Sequence, residues 1–135
     1  CMAPAAADTV AIHMEDFHVK PEKYDRIITG DLGTVGRRLL LDYLMKAGYR
    51  IESRYMDCGI EMFSPEEQDT HAGGSGCGCS AAVLCGFVLP KIRNGEWKRV
   101  LFLPTGALLS TVSFNEGKSV PGIAHGVVLE TPDFL

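Results

Sequence analysis

Residues 69–80, with the sequence DTHAGGSGCGCS, join a glycine-rich loop to the start of an apolar segment. Four glycines fall within residues 73–78, and glycine permits positive φ angles and the close approach of a ligand or a second backbone. A helix is predicted to follow at once, and its first turn offers unpaired N–H groups and a positive dipole end. The stretch also carries an imidazole, hydroxyls and thiols, so we interpret it as a candidate binding loop.

The helix predicted after this loop runs from about residue 77 to residue 92 and is apolar on nearly every side. That composition is typical of a central, buried helix, and Pro90 is expected to kink or shorten it. The remaining predicted elements are two helices and four strands, which in chain order occupy residues 4–18 (helix), 24–29, 35–47 (helix), 55–63, 99–103 and 123–130. This alternation predicts an α/β fold with a mostly parallel sheet flanked by helices.

Two of the predicted helices have apolar residues at helical spacing, which indicates one buried face on each. On the first helix that face is formed by Ala6, Val10, Met14 and Phe17, and on the second by Val35, Leu39, Leu40, Tyr43, Leu44 and Ala47. Thr34 is predicted as the N-cap of the second helix. Residues 64–78 are expected to form a loop.

Composition narrows the class of protein. A chain of 135 residues is expected to form one compact unit. The net charge is −4, and no more than two basic residues are adjacent, which argues against a nucleic-acid partner. The longest apolar run, near residues 81–90, is too short to cross a membrane. Five cysteines, an odd number, fit a reducing compartment better than secretion.

Parallel sheets bind ligands at the carboxyl ends of their strands. Three segments are predicted to lie at such ends: residues 30–33, residues 104–110 and the glycine loop. Thr105 and Ser110 have hydroxyls that either contact a ligand or stabilise the turn. Asp31, between two glycines, is interpreted as a turn former rather than an acid catalyst.

Several segments together resemble the stage V sporulation protein AD family of the thiolase-like superfamily. They are MAPAAADT at residues 2–9, YDRIITGDLG at 24–33, HAGGSGCGCS at 71–80, TGALLS at 105–110 and PGIAH at 121–125. The resemblance implies that residues 1–135 are a C-terminal thiolase-like half-domain and a fragment of a longer chain. It also implies that the first strand of this half, expected in the middle of the sheet, is missing.

The resemblance implies that the chain belongs to a non-catalytic protein of the spore. Such a protein would bind dipicolinic acid, free or as its calcium salt, and serve its uptake into the developing spore. The expected partners are the missing N-terminal half, other stage V sporulation A proteins and a second copy of the chain. The expected location is peripheral, on the cytoplasmic side of the forespore or spore inner membrane. Two alternatives stay open: a thiolase-like acyltransferase or ketoacyl synthase, and a structural subunit of a membrane transport assembly.

The candidate ligand-binding residues lie in the glycine loop and at the end of the last parallel strand, and they are His71, Gly74, Ser75, Gly76, Cys79, Thr105 and Ser110. His71 is suited to bind a carboxylate or a pyridine nitrogen, or to bond a backbone carbonyl of its own loop. The glycine loop either packs tightly or presents N–H groups to a carboxylate. No cofactor is expected.

Cys77 and Cys79 raise two further hypotheses. A zinc site is disfavoured because Cys-x-Cys lacks a second paired motif and His71 is the only histidine nearby. A helix N-terminus would lower the pKa of a nucleophilic thiol. However, no cysteine–histidine–acid pattern is recognisable. We therefore expect small thiols packed under a tight loop, and no metal.

Overall fold

A four-stranded β-sheet separates two layers of helices in the computed structural model, which describes residues 1–74, 76–106, 110–119 and 121–132. The strands are β1 (Arg26–Thr29), β2 (Tyr55–Asp57), β3 (Arg99–Leu103) and β4 (Val127–Glu130). Their order across the sheet is β2-β1-β3-β4. β1 is parallel to both β2 and β3, and β4 is antiparallel to β3. The predicted α/β class with a mostly parallel sheet is confirmed.

The middle of the sheet contains no gap for a further strand. Ile28 of β1 is aligned directly with Met56 of β2 on one side and with Phe102 of β3 on the other. The strands of this chain therefore pair without an interruption, and the expected position of a missing first strand stays a prediction. In the described residues β2 and β4 are the edge strands, and edge strands have backbone groups available for pairing.

Seven helical segments accompany the strands in the described residues: α1 (Met2–Asp16), α2 (Gly33–Lys46), α3 (Cys58–Glu61), α4 (Pro65–Gln68), α5 (Cys79–Val83), α6 (Leu89–Arg93) and α7 (Thr111–Asn115). A 3₁₀ turn, Pro21–Lys23, precedes β1. A π-helical segment, Leu84–Val88, joins α5 to α6 without a break. These three segments together form the long helix that the sequence predicts after the glycine loop, and we call them the third helix.

Alternating residues of the central strands support two separate cores. Ile27, Leu101 and Leu103 face α1 and α2 and are at most 1% exposed. Their neighbours Ile28 and Phe102 face the opposite side of the sheet, where the third helix packs. Because successive side chains of a strand point to opposite faces, both faces of β1 and β3 are covered.

The first two helices differ in how well the apolar pattern predicts burial. On α1, the predicted residues Ala6, Val10 and Met14 are buried, whereas Phe17 lies at the helix end and is 65% exposed. The prediction for α2 is mostly wrong: Leu40 and Leu44 are buried, but the other four predicted residues, Val35, Leu39, Tyr43 and Ala47, are exposed. The helix contacts α1 and the sheet along a stripe narrower than its apolar face.

The third helix is buried on one face and exposed on the other. Cys79, Val83 and Val88 pack against the sheet, whereas Phe87 on the outer side is 40% exposed. Burial on nearly every side, which the sequence predicts, is not reached in this chain. Pro90 does not end the helix; the π-helical segment lies directly before it, where the missing N–H of proline and its ring disturb the regular hydrogen-bond pattern.

Other boundaries also differ from prediction. The strand predicted over residues 55–63 ends at Asp57, and α3 follows immediately. The predicted loop of residues 64–78 contains α4, and β4 is shorter than residues 123–130. The N-cap of α2 is Leu32 rather than Thr34. Among the helices of the described residues, none has the length and apolar character needed to cross a membrane.

Candidate ligand-binding site

The carboxyl ends of β1 and β3 and the start of the third helix meet at one place, as the sequence predicts for its three segments. The hydroxyl oxygen of Thr105, after β3, accepts hydrogen bonds from the backbone N–H groups of Gly30 (2.9 Å) and Asp31 (3.4 Å). The Cys79 thiol at the helix start lies 3.9 Å from the carbonyl oxygen of Gly30. The N–H of Gly76 in the glycine loop donates to the Asp31 carboxylate at 3.4 Å. We call these joined segments the carboxyl-end site.

Gly30 lies where these segments converge, and the space around it has no room for a side chain. A Cβ on Gly30 would lie 2.5 Å from the Ser80 hydroxyl oxygen and 2.6 Å and 2.8 Å from backbone atoms of Thr105. Backbone atoms at such distances cannot give way cheaply, so even alanine would push β1, β3 and the third helix apart. The requirement at Gly30 is for space, since its φ angle is not in the left-handed region.

A buried carboxylate fixes the turn that follows Gly30. Asp57, at the end of β2, is 1% exposed. One of its oxygens accepts hydrogen bonds from the Thr29 hydroxyl (2.6 Å) and the N–H of Leu32 (2.9 Å), and the other accepts from the N–H of Gly33 (3.0 Å). Tyr55 completes the network through its hydroxyl, 2.5 Å from that of Thr29. The negative charge lies at the N-terminus of α2, where the helix dipole stabilises it.

The glycine loop is attached to the strand ends by backbone hydrogen bonds. The N–H of Gly74 donates to the carbonyl of Gly59 (2.8 Å), and the N–H of Gly59 donates to the carbonyl of Gly30 (2.9 Å). The N–H of Thr34, in the first turn of α2, donates to the carbonyl of Ala72 (2.7 Å). These N–H groups are already satisfied within the protein, which favours the interpretation that this part of the loop packs tightly.

The glycines of the loop are required for different reasons. Gly73 and Gly76 have φ angles of 126° and 141°, which side chains rarely adopt. Gly74 has no left-handed φ; instead, a Cβ there would overlap the ring of Phe63. Gly76 itself is surrounded by open space, so conformation alone restricts that position. Ser75 lies outside the described residues.

His71 lies on the exposed side of the loop. Its side chain is 86% exposed, and its Nδ1 atom is 3.7 Å from the Asp69 carboxylate. Both residues have left-handed φ angles near 50°, a conformation that is uncommon outside glycine. No described contact links His71 to Gly30, Thr105 or Cys79, so its role in ligand binding stays a prediction.

The buried thiols near the site are held in their protonated form. Burial, with a contribution from Asp57, raises the pKa of Cys58 to about 12. Burial also raises the pKa of Cys79, and the negative charges of Asp31 and Asp57 add to the effect. The thiolate is the nucleophile and the metal ligand, so Cys79, which is buried, fits the predicted packing role. Cys77, for which the same role was predicted, is exposed, so that prediction is wrong. In the described part of the chain, no group of three or more His, Cys, Asp or Glu side chains is arranged to hold a metal ion.

Ser110 acts on its own segment. Its hydroxyl accepts a hydrogen bond from the N–H of Ser113 (3.3 Å) and caps α7. This is the turn-stabilising role that the sequence analysis weighed against ligand contact. Thr105, by contrast, is 4% exposed and belongs to the carboxyl-end site.

Sequence reasoning missed Asp57 and Gly59. Both fall inside residues 55–63, which the apolar pattern predicts as one strand. Within a strand, an aspartate is not expected to bind the start of a helix, so its role was overlooked. A signal existed in the composition, since aspartate and glycine are depleted in strands. Reading the strand as ending at Asp57 would have placed that carboxylate at a strand end, beside the turn at Gly30.

Comparison with known proteins identifies relatives over nearly the whole chain. A family model described as stage V sporulation protein AD matches residues 1–130. The stage V sporulation protein AD of Bacillus subtilis (strain 168) is 43% identical over 129 residues, which cover 96% of this chain and 38% of that protein. The chain therefore spans well under half the length of the curated relative that it matches.

Proposed function

Because the chain belongs to the stage V sporulation protein AD family, a family of sporulation proteins, we propose that it forms part of a non-catalytic protein that binds dipicolinic acid for its uptake into the developing spore. The observation that carries this proposal is the carboxyl-end site. There the ends of β1 and β3, the glycine loop and the third helix converge on Gly30. Ligands of parallel sheets bind at this end.

The chemistry of the site suits a small planar acid. Dipicolinic acid has two carboxylates and a ring nitrogen, all hydrogen-bond acceptors when it is ionised. The Thr105 hydroxyl oxygen already accepts two backbone N–H groups, so toward a ligand it can act only as a donor. Ser80 adds a second hydroxyl against Gly30, and the exposed imidazole of His71 adds a ring nitrogen.

A non-catalytic role is supported by the thiols. The pKa values of Cys58 and Cys79 are raised by burial, which disfavours either as the nucleophile of a thiolase-like acyltransferase. The exposed cysteines of the described residues, Cys1, Cys77 and Cys85, stand in no described contact with a histidine.

We also propose that the rest of the longer protein covers the exposed face of the third helix, where Phe87 and Leu89 are 40% and 36% exposed. This accords with the 38% share of the relative that the chain spans. Assembly with other stage V sporulation A proteins and a peripheral location at the spore inner membrane complete the proposal. A location on the membrane would then depend on those partners.

Titration calorimetry with dipicolinate on the complete protein tests the proposed ligand. We expect saturable binding, and we expect His71→Gln to weaken it by about tenfold, the equivalent of one lost hydrogen bond to a charged group. His18→Gln is the matched control, because His18 is also exposed and also has a φ angle of 50°, but lies at the end of α1.

Two results would contradict the proposal. If the folded protein does not bind dipicolinate at millimolar concentration, dipicolinate is not its ligand. Transfer of an acyl group from a thioester, lost on Cys79→Ser, replaces the non-catalytic role with the acyltransferase alternative. Equal losses of affinity in His71→Gln and His18→Gln would keep the ligand but exclude His71 from the site.

A further inference from the structure

We infer that Asp57 is the positioning residue of the carboxyl-end site. It does not face the open side of the site, since it is 1% exposed, and it is none of the residues predicted from the sequence to touch a ligand. It acts through the backbone: its two oxygens accept hydrogen bonds from the N–H groups of Leu32 and Gly33 and from the Thr29 hydroxyl. The inference rests on the proposed function only for its binding readout.

The two attachments of the glycine loop lie on either side of Asp57, one after the turn that it holds and one just after it in the chain. Leu32 and Gly33 lead into Thr34, whose N–H donates to the carbonyl of Ala72 at 2.7 Å. Gly59, two residues beyond Asp57, accepts the N–H of Gly74 at 2.8 Å. The Asp57 side chain thus fixes the first attachment through Leu32 and Gly33, and its backbone leads directly to the second, so we expect replacement of Asp57 to disturb both. The loop in turn leads into the third helix at Gly78 and Cys79.

The carboxylate cannot be replaced by the amide of similar shape. In Asp57→Asn, one oxygen can still accept the hydrogen bonds of Thr29 and Leu32. The new NH₂ group then faces the N–H of Gly33, so that two donors oppose each other. The N–H of Gly33 is buried, and a buried donor without an acceptor is unfavourable. We expect the turn at residues 30–33 to move, and the glycine loop with it.

Asp25 provides a matched control at the opposite end of the sheet. One oxygen of its carboxylate accepts hydrogen bonds from the backbone N–H groups of Lys98 (2.6 Å) and Arg99 (2.9 Å), and so joins the start of β1 to the start of β3. Its role is chemically similar, an aspartate fastening backbone N–H groups, but its partners lie at the amino ends of the strands. In Asp25→Asn the remaining oxygen can still accept both N–H groups, so this variant makes the same chemical change in the same sheet without acting on the glycine loop.

The experiment compares Asp57→Asn with Asp25→Asn in the complete protein, with dipicolinate as the probe. Affinity is measured by calorimetry at a temperature where melting curves show both variants folded, and amide hydrogen exchange is followed at Thr34 and Gly74. We expect Asp57→Asn to weaken binding at least about tenfold and to accelerate exchange at both amides. Asp25→Asn should change affinity by less than about twofold, whatever its loss of melting temperature.

The outcomes separate this inference from the proposed function. If both variants lose affinity in proportion to their loss of melting temperature, Asp57 is merely structural. If exchange at Thr34 and Gly74 is unchanged in Asp57→Asn, the inference is wrong. If the unmodified protein does not bind dipicolinate, the proposed function fails, and the exchange data alone decide the role of Asp57. Should Asp57→Asn not fold, Thr29→Val, which removes one of the three bonds, is judged by the same readouts.

Discussion

The two ends of the sheet are each fastened by one aspartate, and they differ in what surrounds it. At the carboxyl end, Asp57 accepts hydrogen bonds from Leu32 and Gly33 at the start of α2. At the amino end, Asp25 accepts them from Lys98 and Arg99 at the start of β3. The first aspartate holds a turn and a loop, whereas the second holds a strand to its neighbour.

Several polar side chains at the amino end also bind one another. Arg99 forms an ion pair of 2.5 Å with Glu130, directly across from it on β4, and its guanidinium lies 5.1 Å from the ring centre of Tyr24. The Tyr24 hydroxyl is 2.5 Å from the Nε2 atom of His13. At the carboxyl end, Thr105 and Asp57 accept hydrogen bonds from backbone N–H groups of the turn at residues 30–33. The comparison teaches that Thr105 and Asp57 fix a turn that leads into a loop, whereas Asp25 joins the starts of two strands.

The largest effect is expected at Gly30 of the carboxyl-end site. Gly30→Ala places a methyl group against backbone atoms of Thr105, and such overpacking should lower the free energy of unfolding by about 3 kcal/mol. Gly106→Ala is the matched control, because nothing lies within 4 Å of a Cβ there. Chemical denaturation of both variants provides the measurement. Equal stability of the two variants would mean that the strand ends are not closely packed.

A smaller effect is expected from the Thr105 hydroxyl. Thr105→Val removes the acceptor of the Gly30 and Asp31 N–H groups and should cost about 1–2 kcal/mol of unfolding free energy. Thr105→Ser keeps the hydroxyl and should recover most of the loss. The same denaturation experiment applies, and a valine variant as stable as the serine variant would show that these bonds contribute nothing.

The smallest effect, a pH dependence, is expected at the amino end. Burial lowers the pKa of His13 from its ordinary value of 6.5; the charge of Arg99 adds to this, and Asp16 partly opposes it. The folded state therefore binds fewer protons than the unfolded state, so stability is complete above the unfolded pKa and falls as the pH drops through it. Between about pH 7.5 and pH 5.5, the melting temperature should decrease more steeply for the unmodified protein than for His13→Gln. Identical slopes would exclude a contribution from His13.

The sequence predicts the fold class and the location of the site because both depend on local signals. The alternation of helices and strands and the apolar pattern of β1 and β3 are legible along the chain. The glycines at positions 30, 73 and 76 mark places of close approach or positive φ. The family resemblance rests on the same segments, and it is confirmed.

The errors fall where one segment depends on another distant in sequence. The apolar stripe of α2 predicts burial of Val35 and Leu39, which are 63% and 47% exposed, because periodicity shows that a face exists but not how much of it a neighbour covers. The third helix has the composition of a buried element, yet its outer face is exposed in this chain.

What the sequence by itself determined is the four strands and the three long helices, the glycine positions and the family. Only the tertiary structure decided that Asp57 reaches the start of α2, that Thr105 bonds Gly30 across 75 positions of the chain, and that His71 faces solvent. The physical reason is that helix and strand patterns record interactions between near neighbours, whereas hydrogen-bond partners depend on which strands pair. Strand pairing here joins segments as distant as Thr29 and Leu103, and no local pattern specifies such a pair.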